Sequence, residues 1–345
     1  MRGWYCSTAA GGLEKNLTLR SDLPVPALPT SRNAAHVLIQ SLSVSLNPAD
    51  YKVPEIPAPI RTALLRLPAT PGMDFCGRIV SLTPAAQAPP HSLSVGDIVF
   101  GRLDPQQHGT LAEYFPAPAV NCTKLPSDLI GKLTPDQLTC LGVAGLTSYQ
   151  AIAPHVEAGK GEKVFINGGA GGCGTMAIQI AKALGCHVTV SCSPAKEALC
   201  KRLGADEVID YTQGKLVEEL KKKGKVFSLV VDNAMVPKEL YKAADEFLIP
   251  GKSFVQVGGT FSREAVGLTM GRLFWPRLLG GGRNPFEMFM IRNGREDAEQ
   301  LARWVVEGKL EVVIEEVFEF EKVREAFEKL KSGRCYGKLV VRVGK

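Results

Sequence analysis

The chain has 345 residues, 45% of them hydrophobic and 22% charged, with a formal net charge of +6 at pH 7. That is an ordinary globular composition, long enough for about two domains. It excludes a low-complexity chain, and the mild charge, with its densest run at Lys221-Lys222-Lys223 closing a predicted helix, argues against a nucleic-acid partner.

Nine cysteines, an odd number, are scattered without a CxxC pair, as in a reduced, intracellular protein rather than a disulfide scaffold. The N-terminal residues lack the apolar stretch of a secretory signal, and no uncharged apolar run reaches 18 residues. The expected location is the cytoplasm, with no membrane span.

Residues 1 to about 125 read as a small, mostly antiparallel β domain. Short segments such as His36-Val37-Leu38-Ile39-Gln40 and Gly77-Arg78-Ile79-Val80-Ser81 are broken by turn residues at Pro48, Pro71-Gly72 and Gly96-Asp97. Pro54 to Pro68 reads as a proline-bearing loop. From about 126 to 295 the pattern becomes strand–helix alternation. Lys163-Val164-Phe165-Ile166 precedes a helix from Gly172 to Leu184, and His187 to Cys192 precedes a helix through Leu203. Further strands are expected at Glu207–Ile209, Phe227–Val231 and Ser253–Val257, with helices near 215–222 and 238–247. Near-continuous apolar strands separated by helices specify a parallel sheet with right-handed crossovers. Residues 260–290 break the rhythm; Phe274 and Trp275 there read as walls of a substrate pocket, as core, or as a dimer contact. After a helix near 295–307 the tail (a strand at 311–318, a helix at 321–331 and a strand at 337–343) returns to the first pattern, so 296–345 is expected to complete the first domain.

The strongest motif is Gly169-x-Gly171-x-x-Gly174, inside Gly168-Gly169-Ala170-Gly171-Gly172-Cys173-Gly174. In a chain with 35 glycines the spacing alone says little. Its position between an apolar strand and an amphipathic helix is the informative part. Glycines let the backbone approach a pyrophosphate, and the helix N-terminus supplies free N–H groups. A unit that binds NAD usually ends its second strand with an acid on the ribose 2′-hydroxyl. Here that strand runs into Ser193-Pro194-Ala195-Lys196, and no Asp or Glu occurs between Gly174 and Lys196. Hydroxyls and a lysine suit a 2′-phosphate, so NADPH is the expected cofactor, with Tyr211 at the end of the third strand near the same group. Ser193 also reads as a plain N-cap before Pro194. The missing acid argues against an S-adenosylmethionine methyltransferase. Tyr211-x-x-x-Lys215 matches the pair of short-chain reductases but sits too close behind the glycines to serve as one.

Several segments resemble the medium-chain dehydrogenase/reductase superfamily, in its zinc-free quinone oxidoreductase and enoyl reductase branch. They are Asn47-Pro48-Ala49-Asp50-Tyr51-Lys52, Pro71 to Gly77, Gly96 to Gly101, Gly109 to Tyr114, Gly145-Leu146-Thr147-Ser148-Tyr149, the Gly168–Gly174 turn, Leu203-Gly204-Ala205-Asp206, and Tyr336-Gly337-Lys338-Leu339-Val340-Val341. They follow the family's order over nearly the whole chain, and the C-terminal half is most similar to fungal zinc-binding-dehydrogenase-like proteins, including stand-alone enoyl reductases. The resemblance implies an α/β protein: a GroES-like, mostly-β domain around a Rossmann domain with a doubly wound parallel sheet, and an active site in the cleft between them. Zinc members carry Cys where this chain has Asn47 and His-Glu where it has Met73-Asp74, so the resemblance implies no metal. It implies cofactor contacts at Thr147, Gly168, Gly171, Gly172, Cys173, Gly174, Ser193, Lys196, Tyr211, Asn233, Val257, Gly258 and Lys338.

The reaction it implies is hydride transfer from NADPH to the β-carbon of an α,β-unsaturated carbonyl. Lys52 and Tyr51 are the candidate electrophile or proton donor, and Asn47 and Asp50 shape the site. A purely structural reading of 47–52, with Asn as cap, Pro at N1 and Asp in the first turn, stands beside it. Quinone reduction is the enzymatic alternative, and a non-catalytic NADPH-binding sensor or scaffold is the alternative of another class. The expected partner is a small-molecule substrate, free or carrier-bound, and the chain is expected as a monomer or homodimer.

Overall fold

A computed structural model describes every residue except 32, 59, 108, 260–266, 268, 273–281 and 345. Phe274 and Trp275 lie outside the described residues. The chain forms two units: Met1–Leu146 with Arg292–Gly308 and Val312–Lys345, and Thr147–Ile291 with Lys309–Glu311. The pattern had placed the change of unit near 126, because the strand–helix rhythm starts there. Helix Pro135–Cys140 and the turn Leu141–Gly145, however, pack on the β sheet that precedes them.

In the first unit, strands β1 (Gly3–Tyr5) and β2 (Thr18–Arg20) pair as a hairpin. The main sheet contains β3 (His36–Leu46), β4 (Asp74–Leu82), β5 (Ile98–Arg102), β6 (Tyr114–Pro118) and β7 (Cys122–Lys124). It is completed from the far end of the chain by β14 (Ile314–Glu319) and β15 (Lys338–Arg342), in the order β14-β15-β3-β4-β5-β7, with β6 on β3. The β15–β3 pairing is antiparallel and sets Leu339 opposite Leu46. One face buries Val37, Ile39, Phe75, Ile79 and Phe115, with the Phe75 and Phe115 rings edge to face at 5.2 Å. A second cluster gathers Trp4, Leu13, Leu46, Phe320 and Phe327, so N-terminal and C-terminal segments share one core. The stretch expected as a loop from Pro54 to Pro68 holds a short helix, Ile60–Leu64. No proline interrupts residues 60–67, and Ala63, Leu64 and Leu65 favour the helix.

The second unit is a six-stranded parallel sheet of β8 (Lys163–Asn167), β9 (His187–Cys192), β10 (Glu207–Asp210), β11 (Phe227–Asp232), β12 (Leu248–Val257) and β13 (Phe286–Phe289). Its order is β10-β9-β8-β11-β12-β13, and every pairing is parallel. This is the doubly wound arrangement whose order reverses beside its first strand, the place where such sheets take ligands. Phe165, Phe227, Phe247 and Phe254 fill the core on one face. Among the described residues no helix is long and apolar enough to cross a membrane.

Candidate functional site

The second unit collects most of the expected cofactor residues along one edge. Strand register brings Asp210 beside Cys192, and Asp232 beside both Asn167 and Gln256. Gly168, Ser193, Tyr211, Asn233, Val257 and Gly258 therefore all follow the C-terminal ends of neighbouring strands. Gly168 has φ +82°, a backbone that favours glycine, and its N–H donates to Ser191 Oγ at 2.9 Å. Gly169 donates to Ser191 O at 2.9 Å. Gly174 is fixed by packing: a Cβ there would lie 2.2 Å from Gly168 O.

Gly171 is different. It caps helix Gly172–Ala183 with an ordinary φ of −73°, and the nearest atom to a Cβ at this position would be Gly168 O at 3.8 Å. Neither conformation nor the chain's own packing requires glycine there. The first N–H groups of that helix, from Gly172, Cys173 and Gly174, have no intrahelical acceptor. Backbone open to close approach beside such donors fits a pyrophosphate. Cys173 takes part through its carbonyl, which accepts from Ser148 Oγ at 2.8 Å; Thr147, next to that serine, is 4% exposed. Two further details fit a dinucleotide. Ser193 occupies the N-cap of helix Pro194–Arg202, yet its side chain makes no capping hydrogen bond. Asn233 Nδ2 is buried without a hydrogen-bond partner. Tyr211 is 48% exposed, and Lys196 is half-buried one turn beyond Ser193.

In the first unit, β3 runs directly into Asn47 and the helix Pro48–Lys52. Asp50 Oδ2 accepts the Asn47 N–H at 2.7 Å, which closes the helix start. The Asn47 side chain also reaches across to neighbouring strands. Its Nδ2 donates to Asp74 Oδ2 at 2.7 Å and to Ser45 O at 3.4 Å, and its Oδ1 accepts from Lys338 Nζ at 2.5 Å. Lys338 Nζ also donates to Leu46 O at 3.0 Å and lies 3.6 Å from Asp74 Oδ2. Asp74 further accepts from Ser45 Oγ and the Val143 N–H, both at 2.7 Å. Asn47, Asp50, Asp74 and Lys338 are all at most 3% exposed.

Lys338, expected as a cofactor contact, spends its ammonium within this network. Its strand pairs with β3, and that register delivers the ammonium to Asn47. The Asn47 amide has both hydrogens engaged, which removes it as a donor to a substrate. Asp74 was noted only as a replacement for a metal ligand; its place opposite Lys338 depends on long-range pairing, so no local pattern could show it.

Burial, with the neighbouring Asp74 carboxylate, pushes the Asp50 carboxyl up to about 7, and its Oδ1 is buried without a hydrogen bond. Burial lowers the Lys52 ammonium below the usual lysine range. Tyr51 packs against the Trp4–Phe327 cluster under Lys331, whose Nζ sits 5.4 Å from the ring centre and pairs with Glu14 and Glu55 at 2.7 and 2.8 Å. The Tyr51 ring is thus part of the wall of that core.

Comparison with known proteins agrees with this geometry. Residues 33–127 match the alcohol dehydrogenase GroES-like domain, and residues 203–341 match the zinc-binding dehydrogenase domain. The chain is 42% identical to the trans-enoyl reductase pgmF of Aspergillus terreus, covering 99% of this chain and 96% of that one. It is 30% identical to the mitochondrial NAD(P)H oxidoreductase RTN4IP1 of Mus musculus over 92% of this chain and 84% of the relative. The quinone oxidoreductase of Coxiella burnetii superposes with a TM-score of 0.82 at 27% identity, covering 100% of this chain and 99% of that one. The protein belongs to the medium-chain dehydrogenase/reductase superfamily, a family of oxidoreductases. Its relatives within that superfamily include enoyl and quinone reductases.

Proposed function

We propose that the protein is an NADPH-dependent reductase that adds hydride to the β-carbon of an α,β-unsaturated carbonyl, either an enone or an enoyl thioester. The observation that carries this reading is the nucleotide edge: glycine-lined, open at Gly171, and bearing Ser193 and Lys196 where a 2′-hydroxyl reader would place an acid. The identity to a trans-enoyl reductase supports the choice of acceptor.

When bound, the dihydronicotinamide supplies the hydride. The chain's own residues do the rest. The helix starting at Gly172 and the Gly168–Gly171 turn fix the pyrophosphate. Ser193, Lys196 and Tyr211 hold the 2′-phosphate. Lys52 delivers the proton that follows hydride addition, since burial makes its ammonium a stronger acid than an exposed lysine. Asn47, Asp50, Asp74 and Lys338 form a buried platform at the start of the helix that carries Lys52. That platform also argues for zinc independence: an internal cation, Lys338, already engages Asn47 and Asp74.

The fold similarity to a quinone oxidoreductase favours a second reading, reduction of a quinone held beside the same nicotinamide. The substrate is a small molecule, free or tethered to a carrier. The nine cysteines, none in a disulfide and seven of them buried, suit a reducing cytoplasm.

The experiment is NADPH oxidation against a panel of enones, enoyl thioesters and quinones, for the wild type and Lys52→Ala, with NADPH affinity measured by fluorescence. Loss of about 100-fold in enoyl turnover at unchanged NADPH affinity supports the proton-donor role. Turnover of quinones alone selects the second reading. Tight binding without any turnover points to a sensor.

A further inference from the structure

The loop that follows β11, residues 233–237, is held in an unusual conformation by one buried side chain. Asp232 ends β11 and is 0% exposed. Its Oδ1 accepts three hydrogen bonds: from Asn167 Nδ2 at 2.8 Å, from the Ala234 N–H at 3.1 Å and from the Met235 N–H at 2.8 Å. Its Oδ2 is buried and accepts none. Met235 has φ +59°, in the left-handed region that is unfavourable for a non-glycine residue. A strained backbone of this kind persists only where its surroundings over-determine it. Here the carboxylate does so, through charge-assisted bonds to consecutive amides.

The same carboxylate is tied to the glycine turn. Asn167 Oδ1 accepts from Ser191 Oγ at 2.5 Å, and that hydroxyl, having donated, accepts from the Gly168 N–H at 2.9 Å. Asn167 Nδ2 also donates to Val236 O at 2.7 Å. The hydrogen-bond directions leave one arrangement: Gly168, Ser191, Asn167, Asp232, then the Ala234 and Met235 amides. Three strand ends, β9, β8 and β11, are locked in register by this line of groups.

Its product is the placement of Asn233. The Asn233 N–H donates to Asn167 O at 3.1 Å, while its side-chain Nδ2 is buried without a partner. A buried donor left unmade is costly, and a bound ligand's acceptor oxygen would satisfy it. We propose that Asp232 is a positioning residue that holds the 233–237 loop so that Asn233 Nδ2 donates to an acceptor oxygen of the bound dinucleotide. The proposal rests on the reading of this edge as a nicotinamide dinucleotide site. Asp232 acts through Asn233 and touches no ligand. Burial raises its carboxyl above the usual range, opposed by the Asn167 amide, the two backbone N–H groups and the charge of Arg272.

The test is a double-mutant cycle on NADPH affinity, read by fluorescence titration of the full chain. Asp232→Asn keeps the shape and a neutral acceptor, so the fold survives. Asn233→Ala removes the donor. Asn233→Ala is expected to weaken NADPH about tenfold. Asp232→Asn is expected to weaken it about fivefold in the wild type but less than about twofold in the Asn233→Ala background. An equal loss in both backgrounds, or no loss in the wild type, overturns the positioning role while leaving the site reading intact. If the wild type binds neither NADPH nor NADH, the site reading itself falls, and the role of Asp232 with it.

Discussion

Lys338 Nζ donates to Asn47 Oδ1 at 2.5 Å, joining residues 291 positions apart. Replacing that lysine with methionine leaves the buried Asp74 without its Lys338 ammonium. Loss of one partner of a buried charge pair costs about 3–5 kcal/mol. Urea unfolding of Lys338→Met should show a loss of that size, and adding Asp74→Asn to the same chain should recover part of it. Additive losses would show that the two groups do not sense each other.

Asp50 gives a pH dependence whose sign is fixed. Its folded carboxyl titrates at about 7, above the ordinary aspartate value of 3.8 that the unfolded chain keeps. The folded state therefore binds the proton more tightly. The stabilisation is full below the unfolded value and is lost as pH rises through about 7. Asp50→Asn mimics the protonated form. Its stability relative to the wild type should rise by about 1 kcal/mol or more between pH 5 and pH 8.5. Thermal unfolding of both proteins at the two pH values measures this, and a gap independent of pH would refute it.

Gly171 separates stability from binding. Alanine there has space and a permitted φ, so Gly171→Ala should cost less than about 1 kcal/mol in unfolding experiments. Its methyl group faces the proposed pyrophosphate, and NADPH affinity should drop at least about tenfold. Gly174→Ala makes the contrast, since its Cβ meets Gly168 O at 2.2 Å and the protein should be grossly destabilised.

Nucleotide choice should reside in Ser193 and Lys196. The double substitution to alanine is expected to weaken NADPH by about 2 kcal/mol, near thirtyfold, and to leave NADH almost unchanged. Equal losses for both nucleotides would move the 2′-phosphate contact elsewhere.

Tyr51→Phe keeps the ring under Lys331 and in the Trp4–Phe327 core. Neither the melting temperature nor enoyl turnover should change by more than about twofold in the underlying constants. A large fall in kcat would return the hydroxyl to the list of proton donors.

The two-unit, α/β plan was legible because each unit obeys one local period. The strands around Val164 and Val190 are continuously apolar, and glycine and proline mark the breaks. The glycine turn was legible for a similar reason: Gly168 to Gly174 form one short run between an apolar strand and a helix. The platform around Asn47 was not. Asp74 and Lys338 reach Asn47 through antiparallel neighbours of β3, one 27 and the other 291 residues away in sequence. Tyr51 looked chemical beside Lys52, yet a helix sends adjacent residues to different faces, and its face is a core. Asp232 escaped notice although an acid ending the apolar run Phe227 to Val231 was a visible signal.

The place of β15 in the first sheet has a consequence for biosynthesis. During translation β3 is made long before the neighbour that covers it, residues 338–342. Until those residues emerge, the N-terminal segment keeps an uncovered strand edge, the kind of surface that chaperones shield and that aggregates recruit. Residues 147–291 can meanwhile assemble nearly all of their own sheet. A chain cut before residue 338 would lose that cover and the Lys338 ammonium together, and the loss should tell first on the yield of folded protein.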